Sequence, residues 1–405
     1  MQTKPVFSLL LSMSVPMMLS MLIQSLYNIV DSIYVSRLGT DALTAVSLAY
    51  PLQNAILSAA VGIGVGISSA ISIHLGAGNR EKADRAATLG IALTLIHCIF
   101  FIIAGLTISE PFLKLFTDNP KILNDASIYT EIVLCLSFGS LFQIAFEKIF
   151  QGIGEMKITM YLLIAGCVVN IILDPILIFG LLGFPALGVA GAAIATVAGQ
   201  IVAALIVMKK GFRKPPELRK FPRCIAAIYR LGTPNILMQA AYTVYIFGLN
   251  LILATFSDQA VTVLGLYYKW QSFFFIPLGS MQTCIVPVVS YNYAARNIGR
   301  CKKTLVTAIV FGMALMFLGT LCFEIIPGPM LRVFSSDEKV IEIGVTAFRI
   351  IGISFIPLVS SLTFPVFFQA VGWSLKSSLL TVFRTVVLFV PLAFIFSRIG
   401  GLDWF

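Results

Sequence analysis

Two carboxylates stand inside apolar stretches of this chain, and their neighbours are spaced to work with them. Asp31 closes the run from Val6 to Val35, and Asp174 lies within the run from Ile158 to Gly180. A carboxylate at membrane depth costs several kcal/mol by most accounts, so it persists where it faces a cavity or a partner. Gln24, Tyr27, Asn28 and Asp31 follow i, i+3, i+4, i+7 spacing, which puts four polar groups on one helix face. Asn170 and Asp174 share a face in the same way, and Thr196 offers a hydroxyl on the span that follows. Pro175 cannot donate to the carbonyl of Ile171, and Pro16 leaves the carbonyl of Ser12 without its usual donor. Hard oxygen ligands beside freed carbonyls suit a proton or a hard cation such as Na⁺. If the two acids meet, they titrate as one unit and can release a proton when a cation arrives. The competing reading for Gln24, Asn28 and Thr196 is helix-to-helix glue. It is weaker for the acids, because an asparagine would glue as well at lower cost.

The elements that must hold these residues follow from composition. Hydrophobic residues make up 58% of 405 positions and charged residues 11%; with mean hydropathy +0.96, the chain has too little polar surface for a water-soluble domain. Apolar runs of about 20 residues recur along its length, enough to cross hydrocarbon as helix. Strand-like alternation is absent, which argues against an outer-membrane barrel. Eleven spans are expected, near 6–35, 45–73, 87–108, 127–149, 158–180, 187–208, 228–255, 262–292, 304–326, 345–369 and 377–397. The seven cysteines show no CxxC spacing, so neither disulfides nor a metal cluster is indicated.

The net charge of +10 is distributed by topology. With the N-terminus cytoplasmic, inner loops hold nineteen of the 28 basic residues, eight of them between Lys209 and Arg230. The positive-inside rule explains this excess without a nucleic-acid partner. The chain also repeats itself at one constant offset: Pro16 pairs with Pro234, Asn79 with Asn297, and Phe150–Gly154 with Phe368–Gly372. Even-numbered repeats are parallel, so two six-helix lobes are expected, 1–208 and 228–405, joined by a cytoplasmic linker at 209–227 containing Pro215-Pro216. By this repeat a twelfth span is missing from the second lobe. The acids have no counterparts there, since Asp31 falls on Leu249 and Asp174 on Leu392.

Other polar residues are less telling. Lys269 and Arg384 are intramembrane cations of the second half, where Lys269 can snorkel, Arg384 can meet backbone carbonyls, and either can line a cavity. Glu147 beside Lys148 reads as an interfacial pair, and Gly62, Gly64 and Gly66 as a helix-packing stripe rather than a nucleotide loop. No Walker motif, GxSxG or HExxH is present. Ion gradients remain as the energy source, and no organic cofactor is called for.

Four motifs in order carry a family resemblance across essentially the whole chain: Pro16 with Tyr27-Asn28-Ile29-Val30-Asp31, Asn170 with Asp174-Pro175, Gly188–Ala193, and Tyr268–Phe273 leading to Pro277. The chain resembles the multidrug and toxic compound extrusion family, in particular its bacterial branch. That resemblance implies an all-α membrane protein of two lobes in a V shape, exporting cationic or amphipathic small molecules in exchange for H⁺ or Na⁺ across the bacterial cytoplasmic membrane. It also implies an N-lobe coupling site of Asp31, Asn170, Asp174 and Thr196, with Tyr27 alongside and Pro16 and Pro175 as bending points. A lipid or oligosaccharide-lipid flippase is the nearest rival, followed by an inactive truncated transporter. A lipid-modifying enzyme would need a catalytic cluster that is not seen. A monomer in the lipid bilayer is the default state.

Overall fold

In the computed structural model, which describes residues 3–211 and 221–401, every regular element is helical. The basic positions Arg213, Lys214, Arg219 and Lys220 and the Pro215-Pro216 pair lie outside the described residues. The first part of the chain runs α1 (Val6–Ser36), α2 (Thr40–Gly76), α3 (Arg80–Leu113), α4 (Pro120–Cys135), α5 (Phe138–Ile153), α6 (Met156–Phe179) and α7 (Val189–Gly211). The second runs α8 (Phe221–Ala254), α9 (Asp258–Phe274), α10 (Ile276–Ala294), α11 (Ile298–Ile325), α12 (Pro327–Arg332), α13 (Glu338–Ile353) and α14 (Phe355–Ala370). It ends with α15 (Ser374–Val382), a π-helical turn (Phe383–Phe389) and α16 (Val390–Gly400).

Among the described residues eight helices are long and apolar enough to cross a membrane, and three bent pairs, α4–α5, α9–α10 and α13–α14, bring the total to eleven if each pair is one span. That matches the expected number, but three of the spans are broken, by 45°, 54° and 54°. Two of the breaks have a local cause. Pro277 and Pro357 sit just past them and withhold the N–H that would bond Phe273 and Ile353. At the third break the chain tightens through Ser137 N–H to Leu134 O (3.2 Å) and Gly139 N–H to Leu136 O (3.1 Å).

The internal repeat extends to individual hydrogen bonds. Ser72 Oγ donates to Gly152 O (2.8 Å), and at the matching positions of the second half Ser290 Oγ donates to Ala370 O (2.7 Å). Asn79 and Asn297 cap α3 and α11 through the N–H groups of Lys82 (3.0 Å) and Arg300 (3.1 Å). Asn119 and Asp337 cap α4 and α13 in the same manner.

The helices group into two compact units, one of residues 19–233 and one of 1–18 with 234–405. The dividing points fall within α1 and α8, at or beside Pro16 and Pro234. In the second unit the start of α1 packs on α11, with Phe7 edge-on to Phe311 at 5.6 Å. In the first unit the start of α8 packs on α2: a side chain at Gly232 would meet the Gly62 carbonyl at 2.5 Å, and one at Gly66 would run into the Ile228 carbonyl. The Gly62–Gly66 stripe is thus a packing surface. Tyr229 of the same α8 segment reaches His97 Nε2 on α3 at 3.1 Å. Glu147 and Lys148 pair at 3.0 Å and share Gln151 between them.

What positions the acidic residues is the crossing of α6 and α7. Gly180 ends α6 with φ of 74°, and the loop is tied back by Leu187 N–H to Leu177 O (2.9 Å) and Gly188 N–H to Ile178 O (3.1 Å). The two helices then approach so closely that a Cβ at Gly199 would stand 2.6 Å from the Gly166 carbonyl and 3.3 Å from Asn170 Cβ. Only glycine permits that approach, which sets Thr196 beside Asn170. Gly199→Leu is therefore expected to lower the thermal midpoint in detergent by roughly 5 °C through overpacking, while Gly265→Ala, where a Cβ meets nothing within 4 Å, leaves it unchanged. Equal midpoints for the two variants would show that the crossing does not depend on this glycine.

Candidate functional site

Asn170 and Asp174, one turn apart on α6, are 2% and 0% exposed, and Thr196 on α7 is 8% exposed. The Asn170 amide donates to Asp174 Oδ1 and to Thr196 Oγ1, both at 3.3 Å. Asp31, on the last turns of α1, reaches the same place, with its carboxyl in hydrogen-bond range of Asp174. Tyr27, one turn earlier, is an electrostatic neighbour of Asp31, Asp174 and Cys167. Five of the residues singled out in the sequence are thus gathered within one unit.

The decisive feature is what these groups lack. Asp31 Oδ1, Asn170 Oδ1 and Asp174 Oδ2 are all buried, and none has a hydrogen-bond donor among the described residues. An ionised carboxylate accepts and never donates, so two of them facing each other leave their oxygens unanswered. Buried acceptors without donors are costly, by about 1–3 kcal/mol each and more when charged. A proton shared by the pair, or a hard cation among the three oxygens, removes that cost. The arrangement can therefore bind H⁺ or Na⁺ and change its own charge in doing so.

Gln24 and Asn28 are exposed and stay outside this cluster. At about 100° per residue the polar stripe of α1 is some 100° wide, with Tyr27 and Asp31 on one flank and Gln24 and Asn28 on the other. Only the first flank turns into the unit. Pro16 and Pro175 lie within continuous helices, Pro175 directly after Asp174. Lys269 is exposed, with Nζ 5.0 Å from the Phe334 ring centre, and Arg384 belongs to the second unit.

Two members of the cluster escaped the sequence reading. Tyr129 on α4 is 3% exposed, lies beside the Gln53 side chain of α2, and is an electrostatic neighbour of Asp31, Tyr27 and Asp174. Tyr129 follows Asp125 by one turn on α4 and Gln53 follows Tyr50 on α2, pairs too short to mark a polar stripe like that of α1. The available signal for Gln53 was the repeat, which sets it against Gln271 in the second half.

Known proteins resemble this chain along nearly its whole length. The MatE family model matches residues 16–176 and 234–395. The chain is 25% identical to a FAD transporter of Shewanella oneidensis over 98% of its own length and 89% of that protein. It is 26% identical to the multidrug export protein MepA of Staphylococcus aureus over 99% of itself and 89% of that protein. Among solved structures, an outward-facing multidrug resistance MATE family transporter of the MOP superfamily superposes with TM-score 0.92 at 28% identity, covering 99% of this chain and 90% of the other. A MOP superfamily transporter from Pyrococcus furiosus, described by the reverse polarity of its binding pocket, gives TM-score 0.91 at 28% identity, covering 99% and 90%.

Unanswered buried acceptors make the site a stability liability. Asp174→Leu, which copies the residue type of the second half, is expected to unfold at a temperature no lower than the parent protein. A clear drop in the thermal midpoint would mark Asp174 as structural glue.

Proposed function

We propose that this chain, which belongs to the MatE family, is a secondary active antiporter that exports cationic or amphipathic organic compounds in exchange for H⁺ or Na⁺. The observation that carries this reading is the trio of donorless buried oxygens on Asp31, Asn170 and Asp174. With a cation or proton in place, the pair of acids is compensated and α1 can lie against α6. On its release two like charges face each other in a poor solvent. At an effective dielectric of 20, charges about 4 Å apart repel by about 4 kcal/mol. A tenfold population change needs only about 1.4 kcal/mol, so loading and unloading this site suffices to favour one helix arrangement over another. Pro16 and Pro175 are the points at which α1 and α6 yield, because each breaks the helical hydrogen-bond ladder close to the moving segment. Tyr27, Tyr129 and Gln53 hold the acids in position and complete the polar lining around them.

In this reading the protein is multi-pass in the cytoplasmic membrane of a bacterium, its N-terminus is cytoplasmic, and it works as a monomer on small-molecule cargo. Multidrug export relatives support the cargo class. The ion gradient does the work that a nucleotide does in a pump.

The test is ethidium efflux from cells producing this 405-residue chain under imposed Na⁺ or pH gradients. Gradient-dependent efflux is expected, identifying the coupling ion, and Asp31→Asn is expected to insert normally yet lower coupled efflux at least about tenfold. Efflux by Asp31→Asn at the parent rate would remove the acids from the coupling step.

A further inference from the structure

The end of the second unit at which α10 and α14 finish carries cations alone. Ser290 Oγ donates to Ala370 O (2.7 Å), which sets the turn from α10 to α11 beside the turn from α14 to α15. Asn297 N–H to Asn292 O and Trp373 N–H to Phe368 O, both at 2.8 Å, close these turns in the same way. Lys4, Arg296, Lys302, Lys303 and Lys376 are exposed on this end, and Arg300 donates to the Lys4 carbonyl. Among the described residues no ion pair includes any of the five exposed cations. The unit's described acids, Asp258, Glu324, Asp337, Glu338 and Glu342, all lie at the opposite end, where α9 and α13 begin and α11 finishes.

The first copy of the repeat shows that the fold does not require this. Asp84 stands at the position of Lys302, Glu81 at that of Gly299 and Glu155 at that of Trp373, so cations and acids are mixed there. Gly78, with φ of 74°, is matched by Arg296 with φ of 59°. A left-handed backbone suits glycine and costs any residue with a Cβ, so this turn holds an arginine against its local preference. The positive-inside rule asks for Lys and Arg and is nearly indifferent to Asp and Glu. It accounts for the cations and leaves the absence of acids unexplained. Apolar surface adjoins the charge: Trp373, Leu375 and Ile298 are 48%, 63% and 46% exposed. Trp373 stacks on Phe368 with centroids 6.0 Å apart, and Lys376 Nζ lies 4.5 Å from the Trp373 ring centre. Glu155 and Lys157, the counterparts of Trp373 and Leu375, are exposed as well, with α7 packed along α6. Aromatic rings beside Lys and Arg at a helix end are what meets phospholipid headgroups.

We propose that this end of the second unit is a docking surface for anionic phospholipid. Arg296, Lys302 and Lys376 meet the phosphodiester, and Trp373, Leu375 and Ile298 lie along the glycerol and the first acyl carbons. A lipid held there ties the α10–α11 turn to the α14–α15 turn through one shared headgroup. The first unit, with acids at the matching positions, holds no such lipid. Which leaflet supplies it follows from the orientation proposed above, and the surface is the same in either orientation.

The experiment is native mass spectrometry of the purified full chain in detergent, titrated with phosphatidylglycerol or with phosphatidylcholine of the same acyl chains. Phosphatidylglycerol is expected to stay bound where phosphatidylcholine dissociates, and to bind more weakly as salt is raised. Lys302→Asp and Trp373→Glu give the second copy the residues of the first. Both are expected to weaken phosphatidylglycerol binding, Lys302→Asp by at least about fivefold. Lys157→Asp makes the same charge change on the first unit and is expected to leave the affinity unchanged. Circular dichroism keeps a misfolded variant from being counted. Equal retention of the two lipids by the parent protein would overturn the proposal, as would parent affinity in both second-unit variants. Equal losses in Lys302→Asp and Lys157→Asp would overturn it too, reducing the effect to net charge. So would displacement of phosphatidylglycerol by glycerol 3-phosphate, which would assign the cations to a soluble phosphate.

Discussion

A buried carboxylate needs a partner, and in this protein the chain withholds one. Asp31 and Asp174 are brought together by three helices, yet the donors around them are spent or absent: the Asn170 amide serves Asp174 and Thr196, and three oxygens are left over. In water such groups would be hydrated at no cost. In a helical bundle surrounded by hydrocarbon they carry a cost that a positive charge placed among them would remove. The close α6/α7 crossing, the glycine contacts that permit it and the position of Asp31 late in a long helix all serve to keep that place assembled.

Much of this was legible in the amino-acid order, and for a physical reason. Burial in lipid demands continuous apolar stretches, so helices announce themselves by length, and an acid inside one is conspicuous against that background. Eleven spans and the five clustered residues Tyr27, Asp31, Asn170, Asp174 and Thr196 could be read in this way. The breaks after Cys135, Phe274 and Ile353 could not, because hydropathy continues across them while the helix axis turns. Tyr129 and Gln53 were hidden for a different reason: neither belongs to a long polar stripe, and their neighbours in the site are on other helices. Gln24 and Asn28 show the converse, sharing a stripe with Asp31 on paper while standing on its exposed flank.

The repeat gives the molecule two copies of one scaffold with different chemistry on each. Hydrogen bonds such as Ser72 to Gly152 and Ser290 to Ala370 are kept in both, since they join helices. The acids Asp31 and Asp174 are not repeated, since nothing in the packing requires them to be.

The division of α1 and α8 between the two units has a consequence of its own. Residues 1–18 pack with the second copy, while the start of α8 up to Thr233 packs with the first. Each copy lends its leading arm to the other, as two subunits do in a domain-swapped dimer, except that here a single polypeptide supplies both. Because one polypeptide supplies both arms, completing either bundle is a matter of covalent linkage and not of concentration.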